Sequence, residues 1–114
     1  MQIMCIFCDI VSGKAPSRKV YEDEQVVAFK DIYPQSPVHI LIVPKKHIAS
    51  IVEISDEDGP LLVGIVTAAK KIAEQQGVAK RGFRLVANNG PDGGQTVNHL
   101  HFHLLAGDVM GRMC

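Results

Sequence analysis

Neither sign of charge dominates this chain of 114 residues: twelve Lys and Arg balance twelve Asp and Glu. Without a basic surplus there is no long-range pull toward nucleic acid or an anionic membrane, and neither is expected as a partner. Long apolar runs are absent as well, since no stretch reaches the roughly 18 residues that span a bilayer. Met1-Gln2-Ile3-Met4-Cys5 lacks the basic start and apolar stretch of a secretion signal, so a cytoplasmic location is expected. Cysteine is scarce, with Cys5, Cys8 and Cys114 only. An odd count without a secretion signal argues against a disulfide framework. No repeat, low-complexity tract or linker interrupts the chain, and one domain over residues 1–114 is expected. Its 46% hydrophobic content suffices for a real core.

The apolar pattern indicates an α+β fold. Cys5 to Ser12 has a helical tendency and stops at Gly13. Lys19–Glu22 and Val26–Phe29 read as strands joined by an Asp23-Glu24 turn. Asp31 to Pro37 carries two prolines and reads as a loop. Val38 to Val43 is almost wholly apolar, which marks a central strand covered on both faces. From Asp58 to Gln76, Leu61, Leu62, Ile65, Ala68, Ala69, Ile72 and Ala73 recur at helical spacing. Asp56, Glu57 and Asp58 supply caps, Gly59-Pro60 fits the first turn, and Gly77 provides the stop. Phe83–Asn88 and His99–Leu105 read as two further strands around a glycine-rich turn. The expected architecture is an antiparallel five-stranded meander with one main helix and a short N-terminal helix.

His99-Leu100-His101-Phe102-His103-Leu104-Leu105 carries the chemistry. In a strand, alternate side chains share a face, so the three histidines would line one side and the apolar residues the other. Same-face neighbours would lie about 7 Å apart. Three readings are open: an exposed polar strand, a metal site, and nucleophilic catalysis at phosphorus. The preceding Gly93-Gly94-Gln95-Thr96 favours the third, because glycines allow close backbone approach and donors beside a nucleophile suit a phosphate. Cys5-Ile6-Phe7-Cys8 leaves its own alternatives: a redox pair, half a zinc site, or two plain thiols. No second Cys-x-x-Cys exists to complete a four-cysteine site. Lys45-Lys46, Lys70-Lys71 and Lys80-Arg81 read as solvated surface.

Gly-Gly-Gln-Thr-Val-Asn followed by His-Leu-His-Phe-His-Leu-Leu resembles the signature of the histidine triad superfamily. Phe29-Lys30-Asp31-Ile32 and the segment from Ser36 through Pro44-Lys45-Lys46-His47 resemble the nucleotide-binding half of its purine nucleoside phosphoramidase branch. The resemblance runs from about Cys5 to Gly107. It implies that His101 is a nucleophile forming a covalent nucleotidyl intermediate, with His103 on the α-phosphate and His39 and His99 flanking. It implies Asp31 on the ribose hydroxyls, Ile32 on the base, and Asn88, Gly94, Gln95 and Thr96 around the phosphate. Bacterial-type members complete a structural zinc site in a way that names Cys5, Cys8, His47 and His99. The implied substrates are AMP conjugates of the adenosine 5′-phosphoramidate type, and the implied assembly is a homodimer. Diadenosine polyphosphate hydrolysis, or nucleotide binding with little turnover, are the other functions to weigh. Gly107 to Cys114 contains no tryptophan, unlike the tails of many members of that branch. The resemblance is therefore stronger for nucleotide binding than for the leaving group.

Overall fold

A computed structural model of the chain describes residues 5–111; Cys114 lies outside them. The sheet consists of β1 (Lys19–Glu22), β2 (Val26–Lys30), β3 (Val38–Pro44), β4 (Arg84–Val86) and β5 (Phe102–Ala106). Two helices, α1 (Ile6–Ser12) and α2 (Gly59–Gln75), accompany it. All neighbouring strands are antiparallel, in the order β1-β2-β3-β5-β4. Five antiparallel strands, one main helix and a short N-terminal helix are as the apolar pattern indicates. The path refines the meander: it holds through β1, β2 and β3, then α2 carries the chain across, and β5 returns between β3 and β4. This places the histidine-bearing strand in the interior of the sheet, beside His39 on β3.

The near-continuous apolar run of β3 has a direct cause. One set of its alternating side chains, Ile40 and Ile42, packs with Ile65, Ala69 and Ile72 of α2 and with Leu100 and Leu104. The other, Leu41 and Val43, packs with Val27, Phe29, Phe7 and Ile10 under α1. Residues opposite each other in an antiparallel pair share a face. His103 opposes Leu41 and therefore faces α1. Each face is covered, so no polar residue of β3 other than His39 is required.

The helix limits follow the expected caps with one addition. Gly13 ends α1 in the left-handed conformation, φ 84°, and Pro60 sits in the first turn of α2. Asp56–Asp58 form a separate 3₁₀ turn, in which Ser55 and Asp58 make a reciprocal capping box. A second such turn, Ile51–Glu53, was not legible in the apolar pattern. The strand expected over Phe83–Asn88 is regular only over Arg84–Val86, which pair with Leu105, Leu104 and His103 of β5. No helix among the described residues is long and apolar enough to cross a membrane.

Candidate active site and metal centre

The histidine row is not one continuous strand. Regular pairing begins at Phe102, while His99 sits in a bend and His101 in the lead-in. Leu100 donates its N–H to Ile48 O at 2.6 Å, outside the β-ladder. Alternation nevertheless survives: Leu100 and Leu104 are buried under α2, with Phe102 packed beside them. The His101 and His103 ring centroids stand 5.1 Å apart. His99 turns away toward the N-terminal cysteines.

His101 and His39 are each held in one tautomer by a backbone partner that can act in only one sense. His101 Nδ1 lies 2.7 Å from His99 O. A carbonyl only accepts, so Nδ1 carries the proton and Nε2, at the far edge of the ring, keeps its lone pair. The Gln35 backbone N–H donates to His39 Nδ1 at 2.9 Å. His39 therefore carries its proton on Nε2, which lies 2.9 Å from His103 Nδ1. His103 accepts there and presents Nε2–H. Two adjacent rings thus offer one lone pair and one N–H donor. Burial, with His101 and His39 close by, pushes the His103 pKa down to about 4, so it is neutral near pH 7. Burial also lowers the pKa of His39, against the opposing pull of Asp31.

These rings open on a cavity of about 990 Å³. Ile6, Phe7, Ile10, Phe29 and Ile32 form its apolar wall, and Asp31, Thr96, His39, His101 and His103 its polar end. Ile32 is 82% exposed, an unusual placement for isoleucine and one suited to covering a flat ligand. Asp31 Oδ1 accepts the Tyr33 N–H at 2.8 Å, and Oδ2 lies 3.3 Å from His39 Nε2.

Other expected phosphate contacts are placed differently. The Gln95 amide holds its own loop: Nε2 donates to Ala49 O and Val97 O at 2.7 and 2.9 Å, and Oε1 accepts from Gly90 N at 2.9 Å. Asn88 is half-buried, two residues past β4, and is not in the cavity wall. The two glycines answer to local geometry. A Cβ on Gly93 would meet Asn89 O at 2.5 Å, and Gly94 has φ +86°.

Cys5, Cys8, His47 and His99 form the second constellation, with ligand atoms all within 4.8 Å of one another. Cys5 caps α1 with its sulfur, which accepts the Cys8 N–H at 3.4 Å. His99 donates Nε2–H to Pro44 O at 2.8 Å, which leaves the Nδ1 lone pair facing the cluster. That nitrogen is 3.1 Å from His47 Nδ1, 3.4 Å from Cys5 Sγ and 3.5 Å from Cys8 Sγ. A tetrahedral ion bonded at 2.0–2.1 Å to nitrogen and about 2.3 Å to sulfur needs edges of roughly 3.3–3.8 Å. The four residues lie close enough to bind one metal ion. Burial and the neighbouring Cys5 push the Cys8 thiol up to about 11, so a cation is what would hold it as thiolate. His47 is anchored from the side: Lys46, expected as plain surface, pairs at 2.8 Å with the buried Asp58 carboxylate at the start of α2.

Phe7 was missed by the sequence reading. Its ring meets His101 edge-on at 5.0 Å and His99 at 6.0 Å. The signal was its position between Cys5 and Cys8, which ties α1 to the same cluster as His99.

Over residues 4–114 the chain matches the family described as "Scavenger mRNA decapping enzyme C-term binding". It is 46% identical over 108 residues to the purine nucleoside phosphoramidase of Escherichia coli K12, spanning 95% of this chain and 91% of that protein. The chain belongs to the histidine triad family. A HIT family hydrolase from Legionella pneumophila superposes with a TM-score of 0.93 at 48% identity, covering 95% of this chain and 96% of that one. A histidine triad protein from Clostridium difficile gives 0.93 and 48%, with 98% of each chain covered. The protein is a histidine triad hydrolase. Within that family, the opposed tautomers of His101 and His103 are the structural features that chemistry at phosphorus would use.

Proposed function

We propose that the protein hydrolyses nucleoside 5′-monophosphate conjugates of the adenosine 5′-phosphoramidate type, cleaving the P–N bond through a nucleotidyl-His101 intermediate. The observation that carries this reading is the proton on His101 Nδ1, fixed by the 2.7 Å bond to His99 O. It leaves Nε2 as the nucleophile. In the first step Nε2 bonds to the α-phosphorus and the bond to the amine breaks. The departing nitrogen takes a proton from water, and the hydroxide left behind attacks phosphorus, releasing the monophosphate and restoring the lone pair. His103 Nε2–H donates to the phosphoryl oxygens, where negative charge grows. The base lies against Ile32 and the apolar wall, the ribose hydroxyls donate to Asp31, and Thr96 and the Gly94 backbone flank the phosphate. The Gln95 amide is already committed to its loop, so its contribution is to shape that turn.

The donor set Cys5, Cys8, His47 and His99 suits zinc. With four protein ligands the ion has no open position and serves structure. Its consequence for the reaction is indirect, since the His99 carbonyl sets the His101 tautomer. Val63 and Val66 on α2 are 67% and 50% exposed, and β4 is an edge strand of the sheet among the described residues. Both support a homodimer formed through α2 and β4. A cytoplasmic location accords with the free thiols of Cys5 and Cys8.

Replacing His101 with alanine should abolish turnover of adenosine 5′-phosphoramidate, and rapid quenching of the wild type should trap AMP on His101. Melting temperature and metal content of the variant check that it folds. Normal turnover in a folded His101→Ala protein, or turnover without an adduct, would overturn the mechanism.

A further inference from the structure

We infer that Phe7 is a positioning residue: it fixes the plane of the His101 ring, and so the direction in which Nε2 faces the cavity. One hydrogen bond does not settle that plane. His101 Nδ1 donates to His99 O at 2.7 Å, which pins one edge of the imidazole. The outer torsion of a histidine side chain has broad wells, so the ring can still rock about that edge. Rocking displaces Nε2, which lies on the far side of the ring from Cγ. Two rings pack against His101 and limit the motion. Phe7 meets it edge-on, with centroids 5.0 Å apart and planes at 82°. His103 lies at 5.1 Å and 62°. His103 belongs to the same stretch of chain as His101, so Phe7 supplies the restraint from outside it.

Phe7 is itself held. It is buried in a cluster with Val27, Phe29, Leu41 and Val43 of the sheet. Phe29 meets its ring at 5.6 Å and 66°, and His99 at 6.0 Å and 72°. Close packing on several sides leaves a side chain little room to turn. Its neighbours in sequence add a second restraint. Cys5 and Cys8 bring their sulfurs to 3.4 and 3.5 Å from His99 Nδ1. His99 also supplies the carbonyl that bonds His101. The ring edge and the carbonyl that restrain the nucleophile thus come from two segments that meet at one point, the start of α1 and the bend at His99. The ring is set before a ligand arrives, and an attacking atom already in place lowers the barrier. Phe7 also lines the cavity, so its loss touches affinity as well as rate.

The kinetic test rests on the proposed covalent mechanism; the spectroscopic test does not. Phe7→Leu and Phe7→Met both keep an apolar side chain in the core and remove the ring. The flexible methionine fills irregular space and guards against a folding failure of the first variant. Melting temperature and metal content identify the folded proteins. At saturating adenosine 5′-phosphoramidate, the single-turnover rate at which AMP appears on His101 should fall about ten- to hundredfold, the cost of misplacing a reacting atom by roughly 1 Å. AMP affinity, measured by calorimetry, should fall by a smaller factor. In the ligand-free protein, carbon relaxation at His101 Cδ2 should give an order parameter of about 0.85 in the wild type. In both variants it should drop below about 0.6 or show exchange broadening. Ring-nitrogen shifts should keep the proton on Nδ1, since the His99 carbonyl is untouched. An adduct rate that stays at the wild-type level, or falls only in step with AMP affinity, would overturn the inference. So would a His101 ring as rigid in the folded variants as in the wild type. If the wild type forms no adduct, the covalent mechanism fails by itself, and the ring dynamics decide the role of Phe7.

Discussion

Stability should follow free zinc with a calculable slope. Unfolding 114 residues at about 2.1 cal/mol/K each gives an entropy near 0.24 kcal/mol/K. An ion that binds the native cluster and not the unfolded chain adds about 1.4 kcal/mol per tenfold rise in its free concentration above Kd. The melting temperature should therefore rise about 6 °C per decade of buffered zinc. At about a thousand times Kd the gain is roughly 4.1 kcal/mol, or about 17 °C over the chelated protein. The assay is calorimetry across a series of metal buffers, with bound zinc counted by elemental analysis. Cys8→Ala removes one of the four ligands while the half-buried position tolerates the smaller side chain. The variant should lose most of the slope yet melt near the wild type in chelator. A melting temperature independent of free zinc, or the same slope in Cys8→Ala, would refute the four-ligand site.

Leu104 is fully buried under α2, on the face opposite the histidines. Leu104→Ala should cost about 3 kcal/mol in chemical denaturation and leave kcat of the folded protein close to wild type. Gly93→Ala forces a Cβ within 2.5 Å of Asn89 O and should lower stability by about 1–3 kcal/mol, read from its melting curve. His103 is neutral in the fold down to about pH 4, whereas the unfolded value is 6.5. The unfolded state then binds more protons between those values, so this stabilising contribution is complete above pH 6.5 and is lost as pH falls toward 4. Denaturation at pH 7, 6 and 5 should show that decline at saturating zinc, and it should be shallower in His103→Asn. Equal declines in both proteins would refute the burial argument.

Several elements were legible because local chemistry and tertiary context agree. Gly13 and Gly77 mark helix ends by their left-handed backbones, and the apolar run of β3 announces burial on both faces. The site was less legible where a backbone group decides. No side-chain pattern discloses that the Gln35 N–H or the His99 carbonyl sets a tautomer, since every residue carries those groups. Gln95 was read as a phosphate donor because an amide beside glycines suits that role. Its placement next to Ala49, 46 positions away, commits it elsewhere. Lys46 was read as solvated for a similar reason: its buried partner Asp58 is twelve residues on.

By itself, the order of residues determined the α+β composition, the alternation that separates histidines from the core, and the presence of a Cys-x-x-Cys pair near the start. These are local properties: period, capping and residue type. The tertiary structure decided what the three histidines do separately. It broke the strand at Phe102, turned His99 to the cysteines 91 and 94 positions away, and set His103 against His39 across 64. The physical reason is that an imidazole's function depends on which nitrogen holds the proton. That choice belongs to partners brought together by sheet pairing and helix packing.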